Sequence, residues 1–453
     1  MTSSEPIVPA LLRLGLPTML VLLLQAGVGL LEAWFVSFLG TSALTAAALV
    51  FPAYMLMTMM ANGGIGGGVA SAVARALGAG DRRRAESLAF HGLVLAGLFG
   101  GAFTLALWLG APALYAAMGA DDASLSTAVL YSNVVFAAAI PLWVTALLGA
   151  ALRGASEVRL PARVSLAGAV GLLIVSPLLI FGVGPFPRLG IAGAGVALFA
   201  YFALAALVLV ACMRSRDSRL RLARHPLEWR NFRDILGVGA LSAVGTVQAN
   251  LTVALVTAAV GHYTADAIAG YGIASRLDYL LIPLLFGFGT AVVTLVGRAS
   301  GGGHPQRALR IAWIGAALAG GATGLIGVVV AIFAPAWAAL FTSDASVAAT
   351  TTLYLRTVAP FYAVFGFAMT LYFAGQGARR VGWPIVAGTL RLVVGGILAV
   401  VVAVGGASLG TVFALVAASF VIFGLVTVGA LLWKPWSGAH VSLATPRLKG
   451  LVS

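Results

Sequence analysis

Twelve apolar runs of about 18 residues or more succeed one another along the chain, and no other feature limits its fold so strongly. They lie near 10–38, 46–74, 88–110, 126–150, 164–184, 191–213, 236–260, 268–297, 311–333, 350–375, 384–404 and 409–433. Each is long enough to cross a hydrocarbon layer as a helix, and only helices or closed barrels satisfy the backbone N–H and C=O groups there. None alternates apolar and polar residues as a barrel strand does, so the expected fold is an all-α integral membrane protein of twelve transmembrane helices. With 61% hydrophobic and 9% charged residues over 453 positions, the chain lies far from the roughly 25% charged of soluble domains. No small-residue cleavage site follows the first run, which is expected to be retained rather than removed as a signal peptide. The one cysteine, Cys212, forms no internal disulfide, and no Cys/His cluster suggests a metal site.

The formal charge of +14 invites a nucleic-acid reading, which its distribution removes. With the N-terminus in the cytoplasm, 23 of the 27 Lys and Arg fall on the inside, including Arg75, Arg82, Arg83 and Arg84, the seven arginines from Arg214 to Arg233, and Lys434, Arg447 and Lys449. Arg188 and Arg356 lie at the outer edge, and Arg276 and Arg391 fall inside expected helices. That is the positive-inside rule, which places both termini in the cytoplasm of a cell (plasma or inner) membrane. No soluble basic domain exists to bind nucleic acid. The expected partners are the bilayer and small amphipathic substrates, and a monomer is expected.

Shifted by 223 residues, the chain matches itself. Arg75–Ala85 falls on Arg298–Ala308, Asp121 on Asp344, Tyr131 on Tyr354, Gly154 on Gly377 and Pro161 on Pro384. Six helices separate the copies, so both enter the membrane in the same orientation, as parallel repeats. The expected organisation is an N-terminal six-helix lobe over 1–213, a basic cytoplasmic linker over 214–235, a C-terminal six-helix lobe over 236–433 and a cytoplasmic tail over 434–453. Two such bundles enclose a midplane cleft that opens to either side by rocking, which is the design of an alternating-access transporter.

From Leu14 to Leu39, Glu32 is the only ionisable group. A charge at the bilayer centre costs at least about 2.5–3.5 kcal/mol, so such a group faces protein or water. Gln25 and Gly29 share its helix face, and Asn62, Tyr131 and Asn133 are candidates to complete a polar patch in the N-terminal lobe. The alternative is a protonated acid acting as interhelical glue. Against it, the repeat-equivalent residue is Leu255, so the bundle does not need an acid there. In the C-terminal lobe Asp278, Arg276, Arg391, Gln248 and Asn250 form a possible second polar site, with Asp278 either a protonation or cation site or a structural partner, and an Asp278–Arg391 salt bridge as the plain expectation for the arginine. Gly63–Gly68 lacks the Lys-Ser/Thr ending of a phosphate loop and reads as small residues for close helix approach. Met55, Met57, Met59 and Met60 line either a repackable drug surface or, as the plainer reading, lipid and core. Asp121, Asp122 and Asp344 read as solvated loop ends.

In order along the chain, "LGLP" at Leu14–Pro17, "GLLEAWFVSFLGTSALTAAAL" at Gly29–Leu49, "ALGAGDRRRAE" at Ala76–Glu86, "ALRGASE" at Ala151–Glu157, "PLLIFG" at Pro177–Gly182, "LGIAGAGVA" at Leu189–Ala197 and "YGIASRLDYLLIPLLFGFG" at Tyr271–Gly289 resemble the multidrug and toxic compound extrusion (MATE) transporters. The resemblance implies export of amphipathic, often cationic compounds in exchange for H⁺ or Na⁺. It sets Glu32 where relatives carry an intramembrane Asp, and Pro17 on a first-helix proline associated with bending. Where the DinF-like branch has a fifth-helix Asp and Asn, this chain has Ser176 and Leu172; where the sodium branch has acids in the seventh and tenth helices, it offers Gln248 and Asn250 and no mid-helix acid. These departures favour proton coupling through Glu32 over sodium, with no cofactor beyond the gradient. A flippase for a lipid-linked saccharide would need a more cationic cavity. An intramembrane enzyme would need paired aspartates, a His-Glu-x-x-His or a Ser/His pair within the helices, and an ATP-driven pump a nucleotide motif, and the sequence holds none of these; a channel is disfavoured because the two-lobed duplication provides one cleft rather than a ring.

Overall fold

The computed structural model describes residues 6–215 and 218–433, apart from the side chains of Asp122 and Ala123; Arg216, Lys434 and the rest of the tail lie outside the described residues. Eleven helices are long and apolar enough to span a membrane, and one bent pair supplies a twelfth. In chain order they are α1 (Ile7–Ser37), α2 (Thr41–Gly78), α3 (Arg82–Ala117), α4 (Ser124–Ala137 with Ala139–Gly154), α5 (Arg159–Phe181), α6 (Ile191–Arg214), α7 (Trp229–Gly261), α8 (Ala265–Gly301), α9 (Pro305–Ile332), α10 (Ala345–Gly377), α11 (Gly382–Val404) and α12 (Leu409–Trp433). The fold is all-α, with no strand among the described residues.

Several helices outrun their apolar stretches at the arginine-rich end. Hydropathy marks where hydrocarbon stops, whereas a helix stops where its hydrogen bonds do. So α3 begins at Arg82, capped by Asp81, whose side chain accepts from the Arg84 N–H at 2.9 Å. α7 begins at Trp229 rather than near 236, which makes Arg230, Arg233 and Asp234 helical. The irregular segment before it is tied to the N-terminal lobe. Leu220 is fully buried, Arg82 donates to the Ser218 carbonyl at 3.1 Å, and the Glu228 N–H donates to His91 Nε2 at 2.9 Å.

The fourth apolar run, expected as one span, bends by 41° between Ala137 and Ala139. Carbonyls near the bend are satisfied from α3: Thr104 donates to Phe136 at 2.7 Å and Trp108 to Asn133 at 2.9 Å. The 223-residue offset carries Ala138 onto Phe361, at the end of the 3-10 turn Ala359–Phe361 within α10, so both copies break the helix at the same place. Pro17, by contrast, lies within a helix that continues from Ile7 to Ser37. π-helical turns interrupt α2 at Met60–Ile65 and α11 at Val393–Ile397.

The lobes meet tightly at the arginine-rich ends of α2 and α8. Ser71 donates to the Gln376 carbonyl at 2.5 Å, and Thr294 donates to the Arg153 carbonyl at 3.0 Å; the repeat offset superposes one pair on the other. A Cβ on Gly78 would strike the Arg298 carbonyl, and one on Gly301 the Arg75 carbonyl, another pair related by the repeat. Gly68 is packed in the same way on Ile235 and Gly239, as expected of the glycine run. The first half of α1 also crosses to the other lobe. Leu11 and Leu14 join the core of Val292, Val296 and Ala316, and Gly15 lies against the backbone of Gly287 in α8.

Candidate functional site

Each lobe holds a polar centre built around one acid within its membrane span. In the N-terminal lobe, Glu32 of α1 turns a carboxyl oxygen, Oε1, inward, where it is buried and without a hydrogen-bond partner among the described residues. The phenols of Tyr54 in α2 and Tyr131 in α4 lie close enough to feel its charge. Tyr201 of α6 is close enough to Tyr54 for their charges to interact, and it lies near Gln25 and Ser165. Gly168 makes room for it, since a Cβ there would enter the Tyr201 ring. Of the residues expected around Glu32, Tyr131 is beside it and Gln25 reaches the same cluster through Tyr201. Asn133 keeps its Oδ1 buried and unpartnered. Asn62 instead donates to the Thr58 carbonyl at 3.0 Å and lines a small pocket between the lobes with Arg153 and Gln376. Ser176, where relatives carry an acid, is fully buried.

In the C-terminal lobe a cavity of about 200 Å³ is walled by α7, α8, α10, α11 and α12, with Met59 and Gly63 from the other lobe. Asp278 lines it and accepts hydrogen bonds from Tyr354, at 2.6 Å, and from Tyr362. The expected Asp278–Arg391 salt bridge does not form: two tyrosine hydroxyls occupy the carboxylate, and the Arg391 guanidinium carbon instead sits 4.8 Å from the Phe365 ring centre and 5.2 Å from that of Phe420. Arg276 is not part of this centre; it is exposed and lies over Phe341 at 5.2 Å. Gln248 donates to Thr389 at 2.8 Å, and Asn250 to the Thr246 carbonyl at 2.9 Å and to Met59 Sδ at 3.4 Å; both line the cavity. Of the methionines, Met59 faces the cavity and Met57 is core.

The two centres are related and unequal. Tyr131 and Tyr354 occupy equivalent positions of the repeat, each beside an acid, yet Glu32 comes from the first helix of its lobe and Asp278 from the second. Tyr54, Tyr201 and Tyr362 were not singled out in the sequence. None of the three falls on a tyrosine of the other half, the repeat setting Leu277, Gly424 and Ala139 opposite them, and an isolated Tyr in an apolar run has no periodicity of its own.

Two repeated six-helix lobes, sealed together at one end and holding polar groups inside the membrane span, define a secondary transporter rather than an enzyme. The chain belongs to the MatE family, whose model matches residues 17–178 and 242–401, once in each lobe. It is 28% identical over 86% of its length, and 86% of the relative's, to a protein of Shewanella oneidensis described as an FAD transporter. It is 26% identical over 82% of its length and 79% of the relative's to a probable multidrug resistance protein NorM of Thermotoga maritima. Among solved structures it resembles a transporter of the MOP superfamily from Pyrococcus furiosus, with a TM-score of 0.85, 22% identity and 95% of each chain covered. A multidrug resistance MATE transporter in an outward-facing conformation gives a TM-score of 0.81 at 23% identity, covering 94% of this chain and 96% of that one.

Proposed function

We propose that the chain exports small amphipathic compounds in exchange for protons, closer to the DinF-like branch than to the sodium-coupled one, with Glu32 as the coupling carboxyl. The observation that carries this reading is the buried, unpartnered Glu32 oxygen among tyrosines in one lobe, opposite Leu255 in the other. Burial disfavours a charged carboxyl and water or an opposing charge favours it, so a lobe movement that wets or dries this pocket drives proton uptake and release. The run from Leu14 to Leu39 holds no second acid, the fifth-helix position of the DinF-like acid is Ser176, and Gln248 and Asn250 replace the acids a multi-carboxylate sodium site would use. The positive-inside rule puts the sealed end in the cytoplasm, so the cavity side faces outward across a cell membrane.

The relatives support multidrug export, and one of them supports a flavin-nucleotide cargo, which an arginine in the cavity also favours. The flippase reading has less support, since Arg391 alone of the two intramembrane arginines lines the cavity. Uptake of cationic and anionic fluorescent aromatic dyes into inverted vesicles tests the proposal. A pH gradient drives uptake and a sodium gradient does not; uptake driven by sodium alone overturns it.

A further inference from the structure

We infer that the C-terminal cavity selects planar aromatic compounds carrying an acidic group, a carboxylate or phosphate, and that Arg391 is the residue that binds that group. The inference rests on the export reading above and names the class of cargo for it. The resemblance to the family led to the opposite expectation, a cationic cargo, and the wall of this cavity argues against it.

One acidic and one basic side chain line the space, Asp278 and Arg391, and they are not equally free. Both oxygens of Asp278 already accept from a tyrosine hydroxyl, so a cation arriving there must share or displace those donors. Arg391 makes no hydrogen bond or ion pair among the described residues; its Nε is buried and unpartnered. Its guanidinium lies against Phe365 and Phe420, two rings stacked on each other at 4.6 Å, and cation–π attraction to that pair holds it without using its N–H groups, which stay available to a ligand. A planar guanidinium edge matches a carboxylate or phosphate in two parallel hydrogen bonds. Gln248 Oε1 is likewise buried and unpartnered on the same wall, an acceptor for a ring N–H or hydroxyl.

The rest of the wall fits an aromatic body. Tyr271, Phe286, Tyr372, Phe373 and Phe423 surround the space together with the two phenylalanines on Arg391. At about 200 Å³ the cavity is smaller than the roughly 300–1,000 Å³ of sites for drug-sized ligands, so it takes a fused-ring headgroup rather than a large polycyclic molecule. The cation is particular to this lobe: the repeat counterpart of Arg391 is Gly168, whose space is filled by the Tyr201 ring. The N-terminal centre therefore offers an acid and phenols, and the C-terminal one offers an arginine and aromatic walls.

The test uses 2-naphthoate and the 2-naphthylmethylammonium cation, one skeleton with opposite charges, titrated against the purified full-length protein by calorimetry. Native protein is expected to bind naphthoate about tenfold more tightly than the ammonium compound. Arg391→Gln weakens naphthoate about tenfold and leaves the cation within about twofold, whereas Arg391→Lys, which keeps the charge, retains the preference for the anion. A native preference for the cation, binding of neither compound, or equal weakening of both by Arg391→Gln overturns the inference. The native preference needs no variant, so a variant that fails to fold leaves the inference open to refutation. Proton-driven dye uptake that persists alongside a reversed charge preference overturns this inference alone; loss of proton-driven uptake with the preference intact overturns the coupling proposal alone.

Discussion

Asp234 of α7 and Arg75 of α2 meet across the boundary between the lobes, nitrogen to oxygen at 2.8 Å, with the aspartate 6% exposed. Arg84, at 3.0 Å, and Arg379, at 3.5 Å, complete a cluster of three arginines around one acid, and Arg75 also donates to Ser71 and to the Gly377 carbonyl. The repeat places Leu11 opposite Asp234, so the backbone seal is symmetric and the charged latch is not. Removing one partner of such a pair leaves the other charge buried and uncompensated.

Asp234→Asn is therefore expected to open the sealed end. The open-to-closed ratio rises about 5- to 150-fold, a coupling of about 1–3 kcal/mol. The labelling rate of a cysteine placed at the fully buried Ala74 by a membrane-impermeant maleimide reports it. An unchanged rate contradicts the latch.

Gly301→Val blocks closure by a different route. Its side chain meets the Arg75 carbonyl only when the lobes are together, so the closed state alone suffers, by about 1–3 kcal/mol of overpacking. Transport falls and cysteine labelling at Ala74 rises, while helix content by circular dichroism stays native.

Tyr354→Phe keeps the shape of the C-terminal centre and strips one donor from Asp278, at a cost of about 1–3 kcal/mol in unfolding free energy. In an Asp278→Asn background the same change costs less, and a double-mutant cycle reads the difference. Additive losses would mean that the tyrosine acts through packing.

Asp121 and Asp344 cap α4 and α10 at the outer ends, as the repeat suggests. Hydrogen bonds from Ser124 and from Ser346 hold their carboxyls below the usual aspartate value. A folded value below the unfolded one means that the caps contribute above about pH 4 and that the contribution is lost as pH falls through the folded value. Between about pH 5 and 8 they stay ionised, so Asp121→Asn and Asp344→Asn leave the pH profile of transport unchanged there. A shifted profile would move the pH response away from the membrane interior.

The twelve spans and the paired lobes were legible because hydropathy and a 223-residue repeat are long-range signals that survive local ambiguity. The bend at Ala138 was not, since its carbonyls find partners on α3 that only the folded chain brings near. The solitary acids, Glu32 and Asp278, stood out against apolar surroundings, and Tyr131 and Tyr354 stood out as a repeated pair; Tyr54, Tyr201 and Tyr362 come from other helices with no such counterpart and were missed. Charge sign alone suggested pairing Arg391 with Asp278, and aromatic packing decided otherwise. Asp234 was overlooked among the seven arginines of its segment, because hydropathy ended the helix before reaching it.

The central claim is that one carboxyl, Glu32, carries the proton. Proteoliposomes loaded with the pH dye pyranine and given a transported aromatic dye test it most directly. Native protein and Glu32→Asp are expected to show dye-dependent proton flux, and Glu32→Gln to bind the dye within about threefold of native yet move no protons. Dye-dependent proton flux at the native rate in Glu32→Gln would contradict the account.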